Sequence, residues 1–135
     1  MKRIFGIITL CLFLSNCKSS QQDKPLESGK YMIKSIAGEN AEHSTYLQFD
    51  TAKNMISGQA ACNGFSGSLD VKEDSLDIGM LKSTRKYCKD RMDEERKLMQ
   101  NLGKVERYKY KNDQLLLLSS TGETVITTQK AKKKK

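Results

Sequence analysis

From Gly29 onward apolar and polar residues alternate in short runs, the period-2 pattern of half-buried strands. Tyr31, Ile33 and Ser35 oppose Lys30, Met32, Lys34 and Ile36, and Tyr46 to Phe49 and Met55 to Ala61 follow on either side of the polar cluster Asp50-Thr51-Ala52-Lys53-Asn54. Leu69 with Val71 and Leu76 with Ile78 predict two more strands joined across Lys72-Glu73-Asp74-Ser75. The period then changes. Met92, Leu98, Met99 and Leu102 fall on one face of a helix that Gly103 can stop. Asp90 is placed to cap that helix, with Asp93 in a capping-box position and Glu94 and Glu95 in the first turn, where the helix dipole favours anions. Val105 to Tyr110, Leu115 to Leu118 and Thr124 to Thr128 predict a closing meander with turns at Lys111-Asn112-Asp113 and Thr121-Gly122. The fold class expected is α+β: a curved, barrel-like antiparallel sheet of about seven or eight strands packed with one helix.

The first residues follow a different pattern. Lys2 and Arg3 precede an apolar run from Ile4 to Leu14, too short to span a bilayer and proportioned like the core of an export signal. Leu14-Ser15-Asn16-Cys17 resembles a lipobox, so residues 1–16 read as a cleaved lipoprotein signal and Cys17 as a lipidated mature N-terminus. Residues 17–28, with the single proline and no periodicity, read as a tether. Residues 29–129 form the domain and residues 130–135 a lysine-rich tail. The expected location is the bacterial cell envelope, held to the membrane through Cys17 and facing the periplasm or the cell surface. Lys18 stands where an aspartate would favour retention at the inner membrane, which favours the outer membrane.

Charge narrows the partners. Of the formal +8, Lys2 and Arg3 leave with the signal, and Lys130 with Lys132 to Lys135 accounts for five more, so the remainder carries +1. No nucleic-acid-binding face is expected from that remainder.

Cys62 and Cys88 lie within the folded region, 25 residues intervening. A disulfide between them is the economical reading in an oxidising compartment and would contribute about 3.5 kcal/mol by the chain-entropy model; two buried thiols are the alternative. Around them run Ala61-Cys62-Asn63-Gly64-Phe65-Ser66-Gly67, Leu69, Leu76-Asp77-Ile78, Leu81, Ser83-Thr84-Arg85, Cys88, Glu95, Leu102, Val105, Tyr108 and Leu115 to Leu118. This ordered series resembles the META domain of HslJ-like bacterial lipoproteins over about residues 28–128. Tyr31 departs from a common tryptophan, and Gly64 from a common arginine. The resemblance implies a non-enzymatic binding or stress-response module, of the kind associated with heat shock and antibiotic tolerance. A second reading is an inhibitor or accessory subunit that docks on another envelope protein through a sheet edge.

Asn63, Phe65, Thr84 and Arg85 are the candidate ligand or partner surface, although Asn63 also suits a side-chain-bonded turn, Phe65 a core position, Thr84 a strand and Gly67 a positive φ. No catalytic residue, metal or cofactor is expected. His43, the single histidine, sits in a polar loop and reads as a surface residue. Gly64-Phe65-Ser66-Gly67-Ser68 fails as a nucleophile elbow because Ser68 replaces the last glycine. Cys62, Cys88 and His43 are too few for a closed zinc site.

Overall fold

The computed structural model describes residues 24–132. The signal, Cys17, the start of the tether and the last three lysines lie outside the described residues.

The turns fall where polar clusters separate the apolar runs. Strands β1 (Gly29–Ile36), β3 (Tyr46–Asp50), β4 (Met55–Gln59), β5 (Gly64–Lys72) and β6 (Ser75–Ile78) form a hairpin series, with the two-residue β2 (Glu39–Asn40) set against the end of β1. After the two-residue β7 (Lys82–Ser83) and helix α1 (Met92–Leu102) come β8 (Arg107–Lys111), β9 (Gln114–Leu118) and β10 (Thr124–Lys130). Asn54 and Asn112 take φ of 53° and 55° in two of the turns, a region that asparagine tolerates better than most side chains. The neighbours run β10-β9-β8-β6-β5-β4-β3-β1, and β1 also pairs with β10, so the antiparallel sheet closes into a curved ring. Its weakest seam is between β6 and β8, which share the single residue pair Ser75 and Arg107.

The ring interior is filled by the apolar face of the expected alternation. Tyr31, Leu47, Phe49, Ile56, Leu76, Leu115, Leu117 and Ile126 are fully buried. Ile36 departs from strict alternation. A register shift between Ile33 and Ser35 against β10 turns Ile36 inward to 2 % exposure, where an unbroken strand would have left it on the face of Lys30 and Lys34. Gly58 is needed by its neighbours, since a Cβ there would run into the Tyr46 carbonyl oxygen and come within 2.6 Å of the Phe65 ring. Gly58→Ala is expected to destabilise by about 1–3 kcal/mol, read as a lower urea midpoint with an unchanged slope. Gly67 does not take the positive φ expected of it; a Cβ would lie 2.8 Å from Leu81 Cδ2, so it serves a close approach of the chain after β6.

The two ends of the ring are covered differently. Where β1 ends, α1 lies across the opening and buries Leu98 and Leu102 completely. Where β1 begins, the segment from Lys24 to Ser28 crosses the other end. It belongs to the domain rather than to a tether, because Leu26 enters the core at 6 % exposure and tyrosine hydroxyls satisfy the backbone around it. Leu26 N–H donates to Tyr108 Oη at 2.9 Å, Glu27 N–H to Tyr110 Oη at 3.1 Å, and Tyr31 Oη–H donates to the Glu27 carbonyl at 3.0 Å. Beside this strap runs a cleft of about 1030 Å³ lined by Lys24, Leu26, Asp74, Arg107, Tyr108 and Tyr110. Lys130 likewise belongs to β10 and not to a free tail: it pairs with the carboxylate of Glu27, which also takes Lys24 at 2.5 Å.

Hydrogen bonds from Lys130 and then Lys24 hold the Glu27 carboxyl down to about 2, below its ordinary 4.5. A depressed folded pKa means that this group's contribution is complete above about pH 4.5 and is lost as pH falls towards 2. Glu27→Gln should therefore lower stability at pH 6 and converge on the parent protein at pH 2, followed by urea midpoints across that range.

Candidate functional site

The segment from Ala60 to Gly67 begins as the turn between β4 and β5 and continues into β5. Ala60, Ala61 and Cys62 are buried, Phe65 is a core residue at 5 %, and Cys62 is bonded to Cys88 with Cα atoms 5.8 Å apart. The polar residue between them is also buried. Asn63, at 2 % exposure, makes every hydrogen bond that an amide side chain can make. Its Oδ1 accepts from Lys86 N–H and Thr84 Oγ1, each at 2.7 Å; its Nδ2 donates to the Lys86 carbonyl at 3.0 Å and to Glu95 Oε1 at 2.7 Å.

Glu95 completes the arrangement from α1. Its Oε2 accepts the successive backbone N–H groups of Cys62 and Asn63 at 3.0 and 2.8 Å. One carboxylate thus takes three donors from a single turn, which is how a side chain left only 8 % exposed is satisfied with no cation partner among the described residues. Glu94, the preceding residue, acts in the same way on the loop between β2 and β3. It accepts from the N–H groups of Glu42 and His43 at 2.9 and 3.3 Å and bonds His43 Nδ1 at 3.1 Å. Two adjacent carboxylates in the first turns of α1 therefore fasten two separate loops to it, assisted by an ion pair between Lys97 and Glu39.

This replaces the expected capping role. The N-cap is Arg91, which makes no side-chain cap bond; Asp90 takes a φ of 64°, and Asp93 turns to Arg96 at 2.9 Å. His43 is partly buried against Glu94 rather than free at the surface. Glu42, His43 and Glu94 have ligand atoms within 4.8 Å of one another, and both oxygens of Glu94 are already taken by N–H groups of the loop.

The four residues expected to form one surface divide into two layers. Asn63 and Phe65 are not at the surface, because the amide is spent on Glu95, Thr84 and Lys86 and the ring packs in the core. Thr84 and Arg85 are exposed, in a run from Lys82 to Tyr87 that is exposed throughout. The buried layer holds the exposed one: Thr84 N–H donates to the Gly64 carbonyl at 3.0 Å, Lys86 is bonded through both backbone groups to Asn63, and Cys88 is tied to Cys62. Met80 and Tyr87, in the same stretch of chain, are 86 % and 81 % exposed.

Glu95 is the residue whose part in this site was not anticipated. It had a signal. Glu95, Leu98 and Leu102 stand at i, i+3 and i+7, so the buried stripe of the helix begins with a carboxylate that needs partners.

A closed antiparallel sheet with one helix across its end, a cystine in the loop under that helix and a buried Asn-Glu pair beside it together define a small β-ring domain. The family model of the META domain matches residues 24–132, and the chain belongs to the META domain family. Two solved structures share the fold. The NMR structure of a protein from Burkholderia xenovorans is 21 % identical, with a TM-score of 0.64 over 80 % of this chain and 85 % of that one. A second NMR structure is 23 % identical, with a TM-score of 0.59 over 77 % of this chain and 90 % of the other. No curated protein matches the sequence.

Proposed function

We propose that the protein is an exported lipoprotein, cut before Cys17 and anchored by acyl chains, whose META domain works by binding rather than catalysis in a stress response of the cell envelope. The carrying observation is the investment of a buried Asn63-Glu95 pair and a cystine in holding an exposed loop, residues 82–87, in one shape. A preorganised exposed loop lowers the ordering cost of binding. The polar groups beneath it are committed to one another and not to a substrate. Export fits the cystine, since disulfides persist in oxidising compartments. The lipobox at Leu14 to Cys17 supports the anchor, and Lys18 supports an outer-membrane location.

Intact mass spectrometry of the protein extracted from its own membrane tests the anchor. Acyl mass at Cys17, with Cys62 and Cys88 blocked to alkylation until reduction, is the expected result; an unmodified N-terminal methionine removes the proposal. A second reading, an accessory or inhibitory subunit that docks on another envelope protein through a sheet edge, is favoured by β7, which has β5 as its one strand partner among the described residues.

A further inference from the structure

The exposed loop carries both a free strand edge and a concentration of charge. In the register of β7, Phe65 stands opposite Ser83 and Ser66 opposite Lys82, and the Thr84 N–H donates to Gly64. Backbone groups of an antiparallel strand point alternately towards and away from the partner. Lys82, Thr84 and Lys86 therefore turn theirs inward, to β5 and Asn63, and Ser83 and Arg85 turn theirs outward, where no strand faces them among the described residues. Residues 24–132 contain eighteen Lys and Arg against fifteen Asp and Glu, a net +3. From Gly79 to Arg91 there are five against one, a net +4, so the rest of the described chain is slightly negative. Met80 and Tyr87 add exposed apolar surface to the same stretch.

Lysines on an edge repel a second copy of that edge, which guards against self-association. They also select an oppositely charged strand. We infer that the outer edge of Lys82 to Lys86 is a strand-addition site for an acidic, extended segment of another envelope protein. Main-chain bonds at Ser83 and Arg85 would supply attachment, and Lys82, Arg85 and Lys86 the choice of partner. The outward main-chain groups at Ser83 and Arg85 favour an extended protein segment over a lipid surface, which offers no strand to pair with them. The inference rests on reading the protein as a binding module.

The test uses the full-length chain in neutral detergent, with amide hydrogen exchange read by NMR at low salt. A blocked ten-residue peptide of alternating glutamate and valine is compared with its lysine–valine counterpart and with phosphatidylglycerol vesicles. The acidic peptide should slow exchange at Ser83 and Arg85 at least tenfold, and the lysine peptide should not. Ser83→Pro removes an outward N–H and no internal bond, so it should abolish the protection while leaving the melting temperature within a few degrees. Should that variant fold poorly, the exposed pair Lys82→Glu and Arg85→Glu should weaken peptide binding at least tenfold. Vesicle or peptide binding that leaves exchange at Ser83 and Arg85 unchanged would reduce the loop to a charged patch and overturn strand addition. Absence of acidic-peptide binding would overturn it as well. Capture of the lysine peptide alone would overturn this inference and leave the binding-module reading in place.

Discussion

Asn63→Asp is expected to destabilise the domain by about 3–5 kcal/mol at neutral pH, the cost of an uncompensated buried charge. The substitution preserves shape and reverses chemistry. Where Nδ2 now donates to Glu95 Oε1 at 2.7 Å and to the Lys86 carbonyl at 3.0 Å, an acceptor would face two acceptors, and two carboxylates would share one buried site. Such a pair keeps a proton, so its joint folded pKa lies above the unfolded values. A raised carboxyl pKa destabilises in full above the folded value, progressively less as pH falls below it, and not at all below the unfolded value. The deficit should therefore be largest above neutrality and shrink as pH falls. Urea unfolding of parent and variant at pH 7.5 and pH 4.5 measures the difference; an equal deficit at both would mean that the carboxylates do not meet.

Removing the cystine by Cys62→Ala with Cys88→Ala should cost about 3.5 kcal/mol, the loop-closure entropy returned to the unfolded chain. For a domain near one hundred residues this is a fall of roughly 14–28 °C in melting temperature. The folded state should survive, because Asn63 still fastens Lys86 and Glu95 still holds the turn at Cys62 and Asn63. The same proximity makes the two devices non-additive. Combining the cystine deletion with Asn63→Ala should depart from the sum of the separate effects by at least about 0.5 kcal/mol, as contacting residues do. A melting temperature unchanged by reductant would show that the cystine contributes nothing to the fold.

The strand runs, their turns and the single helix were legible because each is a local pattern: alternation between polar clusters, then apolar residues on one helical face. Ile36 was misplaced because a bulge is a two-strand property; it depends on how β1 meets β10 ninety residues later. β2 and β7 have two residues each, too few to show a period. Leu26, alone after the only proline, read as part of a tether, since its place depends on Tyr108. Asn63 is the instructive case. In a glycine-containing motif an asparagine reads as a turn or an exposed ligand contact, and nothing local reveals that Thr84, Lys86 and Glu95 complete its four bonds. Those partners come from two further segments, so burial of the amide is a consequence of the fold that it helps to hold.

That coupling between a buried pair and an exposed loop is open to direct observation by native-state amide hydrogen exchange. Lys86 lies in an exposed loop, yet its N–H donates to Asn63 Oδ1, and the N–H groups of Cys62 and Asn63 donate to Glu95. Their protection should match that of core amides such as Leu117 in β9, and Glu95→Gln should lower all three together, because its amide opposes a donor to the donor of Asn63. Exchange of Lys86 as fast as an unstructured loop, or a Glu95→Gln variant whose loop stays fully protected, would contradict a loop held in place by these two residues.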